Sequence, residues 1–208
     1  MYDHKDGIGL RKIHKGDLFI LLGLKQESWW GTHQTLIVNI EDQQRWFENI
    51  PNNQLFMMAM KDTEPVGLAV YTDIDYISRT LNISGSILAP FRKDIEMVKA
   101  AFSCGLDFGF EMLNMNRIGA EVLEYHAAAQ KLEIEHLGFK IEGRRRQVSY
   151  KCGKYYDSIC LGLLREEWQE QKRVKSYSDG CCNVNFNTAR AERLSARFSR
   201  GLGEVEDA

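Results

Sequence analysis

The chain has 208 residues, of which 44% are hydrophobic and 27% charged, proportions of a globular protein that can bury one sizeable core. A formal net charge of −2 gives nucleic acid or an acidic membrane no electrostatic reason to bind. No apolar run approaches the ~20 residues of a bilayer crossing, and "MYDHKDGIGL" lacks the basic-then-apolar order of a signal peptide; the cytoplasm is the expected compartment.

In chain order, "IGLRKI" predicts a short alternating strand, and "KGDLFILLGLKQ" a helix with Leu18, Leu21 and Leu22 on one face. "EDQQRWFENI" predicts a second helix, acidic at its start, where negative charge suits the macrodipole, and ended by Pro51. Three strand-like runs follow, "QLFMMAMKD", "PVGLAVYTDID" and "TLNISGSIL", with Pro65 expected in the turn between the first two; they predict an antiparallel meander. After Pro90 comes a helix from about Asp94 to Leu113. Its stripe of Val98, Ala101, Phe102, Gly105, Gly109 and Met112 predicts a face pressed close to a sheet. "NRIGAEVLEY" reads as a buried strand, and "HAAAQKLEIEHLG" as a helix stopped by Gly138. "FKIEGRRRQVSY" and "KYYDSICLGLL" read as two strands around the turn "KCGK". The sum is a mixed α+β fold with helices on both faces of one central sheet.

The domain is expected to span residues 1–168, with a polar extension over 169–208. Within the extension, "TARAERLSARFSR" reads as a short helix, docked on its own domain or contributing to a homodimer. Five cysteines, an odd number without a C-x-x-C pair, predict reduced thiols and no metal site.

From His136 to Trp168 the sequence "HLGFKIEGRRRQVSYKCGKYYDSICLGLLREEW" sets Leu-Gly-Phe, Glu-Gly-x-x-Arg, Gly-Lys-Tyr-x-Asp and Leu-x-x-Glu-Trp in one order. This resembles the C-terminal half of the GNAT superfamily of N-acetyltransferases. The ribosomal-protein N-terminal acetyltransferases and the amino-sugar acetyltransferases of nonulosonic-acid synthesis are the most similar groups. "DQQRWFENI" and "PVGLAVYTDIDYISRTLNISGSIL" extend the likeness to the sugar enzymes, over about residues 8–168. The resemblance implies a mixed, mostly antiparallel sheet whose two central parallel strands, "NISGSIL" and "NRIGAEVLEY", splay apart. Pantetheine of acetyl-CoA would lie in the gap, along Ile87 and Leu88, with its pyrophosphate on the N-terminus of the next helix.

The family's phosphate loop, Arg/Gln-x-x-Gly-x-Gly/Ala, falls on Arg92, Lys93, Asp94, Ile95, Glu96 and Met97, and only the first position matches. Side chains at Ile95 and Met97 are expected to crowd the approach of phosphate. Asp94, a good N-cap, competes for the same amides, and Glu96 adds a second negative charge. Arg92 and Lys93 act the other way, either as cations for the pyrophosphate or as solvated surface bases. Arg92, Lys93, Ile95, Met97 and Val98 are the expected cofactor contacts on this loop and helix.

The family's thiolate-protonating Tyr, counted back from Phe139, falls on Ile134, or on Glu133 if the helix carries one extra residue. His126 or Tyr125 can take its place as donor, or serve to cap and pack the helix start. Ser86 can hold a water that relays the acceptor's proton, or can be a buried serine bonded to backbone. For the acceptor, Trp30 and His33 in "ESWWGTHQT" and Asp73 in "YTDIDY" are the candidates; a tryptophan lid on the core and a solvated acid are the alternatives. Arg144–Arg146 suit an exposed strand face or the phosphates of a nucleotide-linked acceptor. The expected activity is acetyl transfer from acetyl-CoA to a primary amine, of an amino sugar or a protein N-terminus, by direct attack. The alternative is a protein of this fold that binds a ligand or partner without catalysis, or uses another donor.

Overall fold

A computed structural model describes residues 2–3, 7–31 and 39–178. Their elements are β1 (Tyr2–Asp3), β2 (Ile8–Lys12), α1 (Leu18–Ser28), α2 (Ile40–Glu48), β3 (Leu55–Lys61), β4 (Glu64–Asp75), β5 (Thr80–Ile87), α3 (Ile95–Asp107), β6 (Arg117–Leu123), α4 (Ala127–Lys131), β7 (Lys140–Lys151), β8 (Lys154–Leu164) and α5 (Arg165–Ser178). The strands form one sheet in the order β1-β2-β3-β4-β5-β6-β8-β7. Every pairing is antiparallel except that between β5 and β6. The chain divides into a unit of residues 1–171, which holds the sheet and core, and a unit of residues 172–208, of which only the end of α5 is described. The expected tail helix and Cys181 and Cys182 lie outside the described residues.

Two faces of the sheet are buried, and strand alternation sorts the side chains between them. Phe56, Met58 and Met60 of β3, with Leu68 and Val70 of β4, meet Leu21 and Leu24 of α1 and Trp46 and Phe47 of α2. Their neighbours Met57, Ala59, Ala69 and Tyr71 face the larger core, which takes in Met97, Ala101, Cys104 and Leu106 of α3. The close approach predicted for α3 is present: a Cβ on Gly109 would stand 2.7 Å from Ile118 Cδ1, and the buried Tyr71 hydroxyl donates to the Gly105 carbonyl at 2.8 Å.

Two details differ from the sequence reading. Pro65 lies inside β4, opposite Met60 and next to Val66, the extra residue of a bulge in β4; proline is tolerated at such bulges. Met112 leaves the inward stripe and is 60% exposed, because α3 widens into a π-helical turn over Phe108–Met112 and the face rotates.

The Glu-Trp motif does structural work. Glu167 accepts from the Leu164 amide at the start of α5, and Trp168 Nε1 donates to the buried Asp107 of α3 at 2.7 Å.

Between α1 and α2 lies a buried cation. Lys25 is 8% exposed, its ammonium 3.0 Å from the centroid of the Trp46 ring and 3.2 Å from Gln43 Oε1. No carboxylate is paired with it among the described residues, and burial pushes its pKa down to about 7. The folded state therefore resists protonation that the unfolded chain accepts up to pH ~10.5. This cost is absent above that pH, grows as pH falls, and is complete below about 7. Lys25→Met is expected to raise stability at pH 7 by about 1–3 kcal/mol, with the gain shrinking toward pH 10; thermal melts of both proteins at pH 6, 8 and 10 check it.

Candidate active site

The parallel ladder between β5 and β6 consists of Thr80↔Arg117, Leu81↔Ile118 and Asn82↔Gly119. Beyond it β5 stays with β4 as far as Ile87, opposite Gly67, while β6 follows β8 as far as Leu123, opposite Ser158. The two strands thus open a V toward their C-terminal ends. Ile87 and the loop to α3 lie at the tip of one arm, Tyr125 and His126 just past the tip of the other.

On the β5 arm, Pro90 begins a short 3-10 turn and Asp94 caps α3. The Asp94 carboxylate accepts from the Met97 amide at 3.0 Å, as the sequence suggests, and its own carbonyl accepts from Val98 at 2.9 Å. The Ile95 and Glu96 amides carry no hydrogen bond among the described residues, so part of the helix end remains available to an anion. Met97 does not crowd the helix end, because it turns into the core at 6% exposure, whereas Ile95, on another side of the helix, is 49% exposed. Val98 packs at the edge of the same core.

Arg92 is engaged on two sides. Its Nε donates to the Ile87 carbonyl at 2.8 Å, and its guanidinium meets Glu27 Oε2 at 3.0 Å. Lys93 is exposed, with no ion pair among the described residues. Leu88 donates its amide to the Val66 carbonyl at 3.0 Å and faces the α1–α2 side. Ser86 is half-buried, and its hydroxyl makes no hydrogen bond among the described residues.

On the β6 arm stands an aromatic group. Trp30, in the 3-10 turn Trp29–Gly31 that follows α1, has its ring 5.3 Å from Tyr125 and 6.4 Å from Tyr156. Tyr125 and Tyr156 meet edge to face at 4.6 Å, the geometry that aromatic quadrupoles favour. The Tyr125 hydroxyl donates to the Trp30 carbonyl. The Lys151 ammonium donates to the carbonyls of Trp29 and Trp30. Burial and neighbouring Tyr156 push the Tyr125 pKa up, so it stays protonated with that proton already directed at Trp30. His126 caps α4 in position only, with no side-chain bond to the helix. Its ring lies so close to Gly31 that a Cβ there would stand 2.9 Å from Cε1, so a larger residue at 31 would displace the ring. His126 keeps a solvent-exposed edge, while desolvation of the packed side lowers its pKa and favours the neutral imidazole.

Carboxylates near this arm are engaged. Glu121 accepts from Arg145 at 2.8 Å and from the Ser158 hydroxyl. Arg144 bridges Glu124 and Asp157, and Asp157 also accepts from the Gln147 amide at 2.8 Å, at a bulge in β7. Asp73 is not brought to this group. It is exposed and accepts from Asn82 Nδ2 at 3.0 Å, which puts it at the closed end of the V, far from Trp30. His33 lies outside the described residues.

Glu27, Lys151 and Tyr156 join the site without having been singled out in the sequence. Tyr156 fills the unspecified position of Gly-Lys-Tyr-x-Asp. Strand alternation sends the motif's own Tyr155 to the outer face, where it is 62% exposed and packs on Tyr150. α4 itself widens into a π-helical turn over Leu132–His136. A π turn carries one residue more than an α turn, the condition under which the count from Phe139 falls on Glu133 rather than Ile134. One Glu133 oxygen, Oε2, is enclosed and has no hydrogen-bond partner among the described residues, and desolvation raises the pKa to about 8.

The family model described as an acetyltransferase (GNAT) domain matches residues 25–160. A Bacillus subtilis (strain 168) protein, the SPbeta prophage-derived uncharacterized N-acetyltransferase YokL, is 29% identical over 114 residues. That match covers 55% of this chain and 63% of the relative, under two thirds of the relative's length. Among solved structures, a mutant of the spermidine N-acetyltransferase SpeG from Vibrio cholerae superposes with a TM-score of 0.72 at 19% identity, over 81% of this chain and 99% of that one. Spermidine N-acetyltransferase of the same organism in complex with CoA and spermine gives 0.69 at 21% identity, over 79% and 99%. At such identities the likeness is one of fold.

The environment of Glu133 has a measurable consequence. Below pH ~4.5 both folded and unfolded chains hold its proton, and as pH rises toward 8 only the unfolded chain releases it. Stability from this group is therefore lost across that window. Glu133→Gln is expected to match the wild type at pH 4.5 and exceed it by about 1–2 kcal/mol at pH 8, as read by denaturant unfolding at the two pH values.

Proposed function

This chain belongs to the GNAT acetyltransferase family, and on that premise we propose that it transfers acetyl from acetyl-CoA to the primary amine of an amino sugar, free or nucleotide-linked, in the cytoplasm. The observation that carries the reading is the V between β5 and β6, with Arg92, Lys93 and the open Ile95 and Glu96 amides at one tip and the Trp30–Tyr125–Tyr156 group at the other. Pantetheine runs along Ile87 and Leu88, and the pyrophosphate meets Arg92, Lys93 and the first turn of α3, where Ile95 and Val98 flank it. Met97 contributes only its amide, which the pyrophosphate would have to win from Asp94.

The acceptor amine attacks the thioester carbonyl; the C–N bond forms, the C–S bond breaks, and the amine's proton must leave as the thiolate gains one. A neutral imidazole suits His126 as proton acceptor, directly or through a water on the Ser86 hydroxyl. A neutral carboxyl suits Glu133 as donor to the thiolate. Tyr125 donates only by giving up the Trp30 carbonyl, which favours for it the task of shaping the acceptor wall.

The acceptor class rests on the same wall. Trp30 is 42% exposed and offers an apolar face to a sugar ring. Glu121, Glu124 and Asp157 are already engaged by Arg144 and Arg145, which offset two of their three charges and leave little for an extended polycation. This preference supports an acceptor of the amino-sugar class over a protein N-terminus. A second reading has its own support: Asp94 on the Met97 amide and Glu27 on Arg92 occupy phosphate-facing groups, as in a binding protein that has abandoned coenzyme A.

Calorimetric titration with acetyl-CoA separates the two. Catalysis predicts binding that weakens about tenfold or more when Arg92 and Lys93 both become Ala, the loss of one or two charged hydrogen bonds. No binding at millimolar acetyl-CoA overturns it. Where binding occurs, thiol release is expected with amino sugars in preference to spermidine.

A further inference from the structure

The segment leaving α1 straddles the open end of the V. On the β5 side Glu27 meets Arg92 at 3.0 Å; on the β6 side the carbonyls of Trp29 and Trp30 accept from Lys151 and Tyr125. The two anchors differ in kind. The second is built from packed groups, with Lys151 only 5% exposed and three aromatic rings in mutual contact. The first is an ion pair between side chains 43% and 47% exposed, which solvent screens. Arg92 does not depend on it for orientation, because Nε is fixed separately on the Ile87 carbonyl. A guanidinium held in this way, beside exposed Lys93 and two open amides, is a site for an anion of more than one charge. Glu27 offers it a single carboxylate.

We infer that Glu27 is a built-in competitor for the anion site of Arg92: it ties the segment across the V, and it gives Arg92 up to the cosubstrate's pyrophosphate. The nature of that anion rests on the function proposed above.

The test is acetyl-CoA titration of the full chain at low ionic strength. Glu27→Gln is expected to tighten binding about two- to five-fold, the fold-change that an exposed ion pair represents, and Glu27→Asp to bind as the wild type does. In an Arg92→Ala background the Glu27→Gln change is expected to have no further effect. Unchanged or weaker binding by Glu27→Gln, in a protein that does bind acetyl-CoA, overturns this inference alone. Absence of binding in all of these proteins overturns it together with the acetyl-CoA reading.

Discussion

After three residue pairs the ladder between β5 and β6 stops, and two central strands of an otherwise continuous sheet part company. Backbone groups within a sheet need partners, so a gap of this kind is held open only if both strands are satisfied on their far sides and tied down around the opening. Both conditions are met. β4 accompanies β5, and β8 accompanies β6, along the diverging stretches. At the closed end Asn82 is braced by Asp73 and sits where any side chain on Gly119 would collide with it. At the open end the segment after α1 reaches both arms. The aromatic wall, the loop into α3 and the position of α4 all follow from where those two strands end.

Electrostatically the mouth is a set of closed accounts. Arginines from β7 answer the acids of β6 and β8, and Arg92 answers Glu27. Two groups of the α4 segment are instead displaced toward their neutral forms by desolvation: Glu133, which is enclosed, and His126, only the packed side of which is taken out of water.

Local features of the chain were legible in sequence because local physics decides them. The meander, the buried strand of β6, the glycine face of α3, the Asp94 cap and the stop at Gly138 were all readable from spacing and residue type. Faces near widened helical turns were not: Met112 was placed inward by a 3.6-residue period that the π turn interrupts. Ile95 and Met97 were both expected to crowd the loop, but helical geometry turns Met97 into the core. Asp73 was chosen for its charge, but strand direction sends it to the wrong end of the V. The Glu27–Arg92 contact joins residues 65 apart, and no pattern in either segment announces it.

The π turn in α4 has a consequence for how this site tolerates change. Each residue of an α-helix advances the chain by about 100°, and a π-helical turn such as Leu132–His136 takes up one extra residue while the helix on either side keeps its phase. Deleting one residue of this turn ahead of Ile134 would therefore restore a regular helix with His126 still beside Gly31, and would leave an isoleucine where the count from Phe139 now meets a carboxyl.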